Sequence, residues 1–249
     1  MHSFGLTDKG RYRAENQDSF EVRELGENIL AVVCDGMGGE AAGLLASDMA
    51  ISRFVAFAGD GLDPEDSAQD EDVLRQAVTA ANRQVYHFSC TAAEYAGMGT
   101  TLVAGVFRPG IATFINVGDS RAYRIARDGI VQITKDHSHV QQLVDAGQIT
   151  PAQARRHPKR NIITRAVGSE AFVTSDLFTV PVREGDLFLL CSDGLTNAVA
   201  DAELHRRILA AEDVETACRS LIQAALNNNA RDNITAIVVD PTKGGGERG

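Results

Sequence analysis

The sequence lacks several features that would by themselves assign a function. No apolar run approaches the roughly 18 residues needed to span a bilayer, and residues 1–8 have neither the basic region nor the apolar core of a secretory signal. Basic residues (24 Lys and Arg) are outnumbered by acidic ones (34 Asp and Glu), so the formal net charge is −10. This charge disfavours nucleic acid and acidic membrane surfaces as main partners. We therefore expect a cytoplasmic protein that neither inserts into a membrane nor binds nucleic acid.

Cysteine is scarce, and the four cysteines lie far apart without metal-ligand spacing. Cys34 and Cys191 fall inside apolar runs, which predicts buried free thiols in a reducing compartment. No linker-like composition divides the chain, so we expect residues 1–241 to form a single domain and residues 242–249 to be a flexible tail.

Two segments superficially suggest metal sites. The acidic stretch 59–72 lacks the alternating carboxylates, central glycine and closing glutamate of an EF-hand, so we interpret it as a solvated connector. His137, His139 and His157 do not match a zinc-binding spacing, and no cysteine lies near them. A serine elbow and a P-loop are absent as well.

The central element of the sequence is the apolar run 29–34, which ends in Asp35 and a glycine-dense turn. This pattern predicts a buried strand that presents a carboxylate at its tip. Gly36 permits close approach of the backbone, so its carbonyl or N–H could join a site at this position.

The same arrangement recurs along the chain. Asp119 follows the predicted strand 112–117, Asp193 follows the apolar strand 187–191, and Asp232 precedes the strand 234–239. Asp18 is a further hard oxygen ligand, and nearby Arg13 could hold a phosphate with its guanidinium fork.

Five such carboxylates gathered in one place would repel each other, and only bound cations could neutralise them. All-oxygen ligation favours magnesium or manganese over zinc or copper. Two such ions would polarise a phosphoryl group and activate a water. The alternative is that the five carboxylates are unrelated surface turns.

Alternating and helical patterns predict an α+β fold. Helices are expected at 41–58, 72–89, 201–211 and 214–227, with shorter ones near 140–146 and 151–156. Strand 112–117 is expected to pair with 100–107 and, through a tight turn at 118–120, with 121–125, and two such hairpins in series predict an antiparallel sheet. A further short strand is expected at 130–133.

Motifs in six stretches resemble those of the metal-dependent serine/threonine phosphatases of the protein phosphatase 2C family, in its compact bacterial form. They are residues 13–18 (RAENQD), 33–39 (VCDGMGG), 97–101 (GMGTT), 116–121 (NVGDSR), 192–195 (SDGL) and 231–235 (RDNIT). They run in family order over nearly the whole chain. The resemblance implies a four-layer α-β-β-α sandwich of two antiparallel sheets flanked by helices.

The resemblance also implies roles for the acidic residues. Asp35 would bridge two manganese or magnesium ions, with the Gly36 carbonyl on one of them and Asp193 and Asp232 on the other. Asp18 would serve the site directly or through water. Asp119, expected in a hairpin turn away from the central strand, would hold a possible third ion together with Asp193.

Arg13 matches the phosphate-binding arginine of the family, so Arg13 and Asp35 would be the catalytic residues. Residues 135–168 match a mobile flap that influences substrate choice. Animal members have a histidine, proposed as general acid, where this chain has Met37. Methionine cannot donate a proton, so either a water or a histidine from elsewhere, such as the flap, would have to do so.

The function implied is hydrolysis of phosphoserine and phosphothreonine on proteins by attack of a metal-activated water. The partners would be phosphorylated proteins, including a serine/threonine kinase or its substrates, and we expect a monomer. Two alternatives remain open: a non-catalytic binding module on the same fold, and a phosphatase acting on small phosphoesters.

Overall fold

The computed structural model describes residues 1–39 and 42–242. The predicted tail 242–249 therefore lies, apart from Thr242, outside the described residues, as do Glu40 and Ala41, the latter being the first residue of the predicted helix 41–58.

The first sheet has five antiparallel strands. Its strands are β1 (His2–Asp8), β7 (Arg121–Ala126), β8 (Gly129–Gln132), β10 (Leu187–Cys191) and β11 (Ile234–Asp240). Their spatial order is β1-β11-β10-β7-β8. The ends of the chain's described part thus lie side by side, since β1 pairs with β11 from His2–Asp240 to Asp8–Ile234.

The second sheet is also antiparallel. Its strands are β2 (Asp18–Leu25), β3 (Asn28–Met37), β4 (Gly99–Thr100), β5 (Leu102–Arg108), β6 (Ile111–Val117) and β9 (Asp176–Pro181). The order is β2-β3-β5-β6-β9, and the short β4 pairs with the end of β3.

The strand β3 is buried on both faces because it lies between two apolar layers. Ile29, Ala31 and Val33 pack against the other sheet, in a cluster that includes aromatic rings from both sheets. The alternate residues of the strand pack under the helices. In the inter-sheet layer, the ring centroids of Phe107 and Phe188 lie 5.3 Å apart. Successive side chains of a strand point to opposite faces of the sheet, and both faces of β3 are covered by apolar layers. The sequence therefore shows a continuous hydrophobic run here.

Helices cover the outer face of each sheet. The second sheet is covered by α1 (Ala42–Gly61) and α2 (Asp70–Ser89). The first is covered by α5 (Asp193–Ala198), α6 (Asp201–Ala210) and α7 (Val214–Asn227). This is the predicted α-β-β-α sandwich, and the α+β class is confirmed.

Among the described residues, α1 is the one helix whose length and composition would allow it to cross a membrane. Half of the 18-residue apolar stretch in this helix is buried inside the protein. Its apolar residues, such as Phe54 and Val55, belong to the core cluster over the second sheet. Packing against the sheet is therefore sufficient to explain the apolar character of this helix.

The predicted flap region contains two short helices, α3 (His139–Asp145) and α4 (Pro151–Ala154). It connects β8 to β9, and isolated bridges tie Ser138 to Ile163 and Thr100 to Val167. A capping box formed by Thr150 and Gln153 starts α4.

The prediction of one sheet from two successive hairpins needs a correction. The hairpin predicted between strands 112–117 and 121–125 is wrong, because β6 lies in the second sheet with β5, whereas β7 lies in the first with β8. Residues 118–120 cross from one sheet to the other, because Gly118 adopts a φ of +107° that turns the chain between layers. Cys34 and Cys191 are buried free thiols, as predicted.

Candidate active site

The strand ends that carry aspartates meet at one edge of the sandwich. In antiparallel neighbours the end of one strand lies beside the start of the next. Cys191, the last residue of β10, pairs with Arg121 at the start of β7 and with Ala236 near the start of β11. On the second sheet, Asp18 at the start of β2 pairs with Asp35 near the end of β3.

This edge opens into a cavity of about 610 Å³. Its lining includes the expected site residues Arg13, Asp35, Gly36, Asp119, Asp193 and Asp232. Asp18 lies beneath it, in register with Asp35. The structure thus brings all seven predicted residues together, and the alternative of unrelated surface turns is wrong.

Asp18 joins the two sheets. Its Oδ2 accepts hydrogen bonds of 2.7 Å from Ser192 Oγ, directly after β10, and from Thr235 Oγ1 on β11. Its Oδ1 is buried without a hydrogen-bond partner among the described residues. Burial, with the nearby charges of Asp193 and Asp232, raises the pKa of Asp18 to about 7, although the two hydroxyl hydrogen bonds oppose the shift.

Asp35 is fixed through its backbone. Its N–H donates to Thr101 Oγ1 at 2.9 Å, and its carbonyl accepts from the Thr101 N–H at 2.9 Å. Burial raises the pKa of Asp35 well above its usual range, and the charges of Asp18 and Asp193 raise it further. The carboxyl group therefore favours protonation unless a cation compensates its charge.

Gly36 has no room for a side chain. A Cβ atom at this position would lie far inside van der Waals contact with the carbonyl oxygen of Gly43. The Gly36 N–H donates to the Gln17 carbonyl at 3.0 Å. The start of α1 thus packs directly on the turn after β3, which explains the need for glycine.

Asp193 begins α5 directly after β10. Its Oδ2 accepts a hydrogen bond of 2.9 Å from Asn197 Nδ2, while its Oδ1 is buried without a partner in the described part of the chain. Burial raises the pKa of Asp193 to about 6, and the charge of Asp232 adds to this shift.

Asp119 occupies the crossing between the sheets, and it lines the same cavity as Asp35. The expectation that its turn lies away from the central strand is therefore wrong. Ser120 Oγ lies 2.6 Å from Thr101 Oγ1, which accepts the Asp35 N–H. Burial and then the charges of Asp193 and Asp136 raise the pKa of Asp119 well above its usual range, while Arg121 opposes them.

Arg13 reaches the site from the loop after β1. Its Nη2 donates to Asp232 Oδ2 at 2.7 Å, and about half of the Arg13 side chain is exposed to solvent. The hydrogen bond to Asp232 is the largest cause that raises the pKa of Arg13. The arginine thus remains charged at the mouth of the cavity.

Asn233 supports the site, although the sequence indicated it only as part of the motif 231–235. Its Oδ1 accepts the Gln17 N–H at 2.9 Å, and its Nδ2 donates to the carbonyls of Lys9 and Glu15. One amide therefore fixes the loop that carries Arg13. Its position directly after Asp232 is the only signal that could have singled it out.

The donor set suits hard divalent cations. The side chains are carboxylates with oxygen-only chemistry, and two of their buried oxygens, on Asp18 and Asp193, have no partner in the described residues. Among those residues, no three Asp, Glu, His or Cys side chains converge closely enough to hold an ion alone. Magnesium-like ions keep several waters and take only one or two carboxylates each, so a dispersed set of donors fits them.

No histidine is among the described residues that line the cavity, whereas Met37 and Tyr12 are. His139 and His157 face each other in the predicted flap region, with ring centroids 6.3 Å apart. His137 is buried and hydrogen-bonds Gly118. A flap histidine as proton donor therefore has no support in this arrangement.

The two-sheet sandwich, with carboxylates and an arginine around a cavity at its edge, fits the class of metal-dependent phosphohydrolases. The family model for protein phosphatase 2C matches residues 10–229. The chain belongs to the protein phosphatase 2C family of metal-dependent serine/threonine phosphatases.

Named relatives agree with this membership. The serine/threonine phosphatase stp of Listeria welshimeri is 37% identical over 242 residues, which cover 96% of each chain. The crystal structure of Stp1 from Staphylococcus aureus superposes with a TM-score of 0.90 at 40% identity, covering 95% of this chain and 93% of that one. The catalytic domain of PstP, in complex with two manganese ions, has a TM-score of 0.83 at 34% identity, covering 95% and 96%.

Proposed function

We propose that this chain hydrolyses phosphoserine and phosphothreonine in proteins at the carboxylate-lined cavity. The observation that carries the proposal is the meeting of Asp35, Asp193 and Asp232 with Arg13 around one cavity. When bound, two divalent cations would supply the Lewis acid that polarises the phosphoryl group and lowers the pKa of the attacking water.

Asp35, the Gly36 carbonyl, Asp193 and Asp232 would hold the two core ions, manganese or magnesium. Asp18 would act directly or through water, and its partnerless Oδ1 supports this role. Its Oδ2 already accepts two hydroxyl hydrogen bonds, which leave Oδ1 as the oxygen free for the site.

A third ion would lie between Asp119 and Asp193. The proposal is supported by the strong raising of the Asp119 pKa, in which Asp193 supplies the largest charge contribution after burial. A carboxylate whose pKa is raised by a neighbouring carboxylate gains most when a cation lies near both.

Arg13 would bind the phosphate. In this structure its guanidinium pairs with Asp232. A cation bound to Asp232 would neutralise that carboxylate and leave the guanidinium free to hydrogen-bond two oxygens of a phosphate. The half-exposed position of Arg13 allows this exchange of partners without burying an unpaired charge.

Water would donate the proton to the leaving serine or threonine oxygen. Met37 occupies the position where animal members have a histidine, and no described lining residue is a histidine. Tyr12 and Ala14 line the cavity and are themselves exposed, so the cavity is open to solvent on this side. A water can therefore reach the leaving oxygen.

The substrates would be phosphorylated segments of other proteins, including a serine/threonine kinase or its targets, met by a monomer in the cytoplasm. The test compares turnover of a phosphothreonine peptide with that of a sugar phosphate in manganese. We expect the peptide to be strongly preferred. Preference for the sugar phosphate would instead indicate an enzyme for small phosphoesters.

A further inference from the structure

A buried histidine outside the cavity holds the turn that carries Asp119. The Gly118 N–H donates to His137 Nδ1 at 3.1 Å, and the His137 N–H donates to the Gly118 carbonyl at 2.8 Å. His137 is only 6% exposed. Both backbone groups of the residue before Asp119 are therefore bonded to one residue from a distant part of the chain.

These contacts define the state of the imidazole. Because Nδ1 accepts a backbone N–H, a neutral ring carries its proton on Nε2, which lies 3.3 Å from Asp176 Oδ2 and 3.1 Å from Arg165 Nη1. Arg165 Nη1 donates to Asp176 Oδ1 at 2.8 Å and so orients the carboxylate. Burial, the largest cause, lowers the pKa of His137, which agrees with a neutral ring.

The same turn is held from the opposite side by Thr101. Ser120 Oγ lies 2.6 Å from Thr101 Oγ1, and Thr101 also accepts the Asp35 N–H. A Cβ atom on Gly118 would lie 2.6 Å from Thr101 Cγ2, and Gly118 has a φ of +107°. The turn is thus held by Thr101 and by two hydrogen bonds with His137, and the Gly118 carbonyl also accepts from Asn116 Nδ2 at 3.2 Å.

We propose that His137 is a positioning residue, which holds the Asp119 carboxylate toward the cavity through its hydrogen bond with the Gly118 N–H. The inference rests on the proposed role of Asp119. His137 itself does not line the cavity among the described residues, so it acts through the turn and not on the substrate. Without the Nδ1 acceptor, the buried Gly118 N–H loses its partner, and the turn must shift to find another.

Three substitutions separate this role from packing. An asparagine places a carbonyl oxygen near the position of Nδ1, whereas a glutamine places its amide nitrogen near Nε2 and leaves the Gly118 N–H without an acceptor. We expect His137→Ala and His137→Gln to lower kcat by about 10- to 100-fold, since small misplacements of a reacting group can cost this much. His137→Asn should stay within about threefold of the original kcat, and KM should change little in all three.

His205 provides a matched control. Its Nε2 is hydrogen-bonded to the Ala126 carbonyl at 2.8 Å, in α6 and away from the cavity. His205→Ala removes a histidine with a comparable hydrogen bond and should leave kcat unchanged. Thermal unfolding of each variant reports folding, and the near-isosteric Asn and Gln variants decide the question if His137→Ala does not fold.

A double-mutant cycle with Asp119→Asn gives the decisive readout. If His137 acts through Asp119, His137→Gln should lower kcat in the original protein but cause no further loss in the Asp119→Asn background. Equal losses in both backgrounds, or a His137→Asn variant as slow as His137→Gln, would overturn the inference. If Asp119→Asn alone keeps full kcat, the proposed role of Asp119 fails, and the inference that depends on it fails for that separate reason.

Discussion

Arg13 Nη2 lies 2.7 Å from Asp232 Oδ2, although the two residues are separated by 219 positions in the sequence. The residue assigned to the phosphate and a residue assigned to the metal are thus partners in this structure. A cation and Arg13 compete for the same carboxylate charge, so cation binding and release of Arg13 are coupled.

Replacing Arg13 tests this coupling. We expect Arg13→Ala to lower kcat/KM on a phosphopeptide by about 100-fold, the scale of losing one transition-state donor. Arg13→Lys should restore little, because an ammonium cannot make the planar two-point contact. Manganese affinity, measured by calorimetry, should stay equal or tighten, because Asp232 loses its competing partner. Unchanged kinetics in both variants would return Arg13 to an ordinary loop residue.

Loss of Asp119 should differ from loss of Asp193. Asp119→Ala should still bind two manganese ions by calorimetry and hydrolyse substrate more slowly through kcat, since a third ion would orient water and not anchor substrate. Asp193→Ala should also weaken the core site, because Asp193 would serve both. Asp128→Ala, in the exposed β7–β8 turn, is the control and should behave like the original protein. Complete loss of metal binding in Asp119→Ala would place Asp119 in the core centre.

The pH dependence of the metal-free protein follows from the buried carboxyl groups. The pKa values of Asp18 and Asp193 are raised to about 7 and about 6 in the folded state, against about 3.9 for an unfolded aspartate. Between these values the folded state binds more protons than the unfolded state, so the free energy of unfolding should fall as pH rises from about 4 to 7.

Urea unfolding in EDTA at several pH values measures this effect. Since one pKa unit corresponds to about 1.4 kcal/mol, we expect a loss of several kcal/mol over that range. Asp18→Asn should flatten the dependence, because an amide has no proton to lose. Manganese should remove this loss of stability at higher pH, because it stabilises the charged carboxylates of the folded state. A metal-free protein whose stability rises over this range would contradict the pKa directions.

Steric confinement of Gly36 gives a prediction about stability. Gly36→Ala would force the turn away from the Gly43 carbonyl, and we expect a loss of about 1–3 kcal/mol in unfolding free energy, as for other overpacked sites. Activity should fall with it, because Asp35 precedes the displaced residue. Gly129→Ala is the matched control, since no atom lies within 4 Å of its new Cβ. Equal thermal stability of the two variants would refute the steric argument.

The sequence singled out Asp35, Asp119 and Asp193 because each follows an apolar run and lies beside glycine, and Asp232 because it lies beside asparagine just before one. Local patterns also predicted α1, α2, α3, α4, α6 and α7 and the hairpin β5–β6, but not α5. The turn at Gly118 was misjudged, because a hairpin and a crossing between sheets begin with the same short polar sequence. Only the packing of the two layers distinguishes them.

Contacts that depend on topology could not be predicted from the sequence. Asp18 Oδ2 accepts from Ser192 and Thr235, which lie 174 and 217 residues away. Asn233 fixes the Arg13 loop across a similar separation. Their residue types are common in turns and carry no periodic signal, so their roles appear only when β10 and β11 are placed beside β2.

The most direct test of the central claim is metal reconstitution. The protein is stripped with EDTA, manganese is titrated by calorimetry, and dephosphorylation of a phosphothreonine peptide is measured at each addition, with Asp35→Asn in parallel. We predict no turnover without metal, recovery as two core equivalents bind, and a loss of about a thousandfold or more in kcat for Asp35→Asn at saturating manganese. Full turnover in chelator with no metal detected by elemental analysis, or an Asp35→Asn variant that keeps more than about a tenth of kcat, would contradict the account.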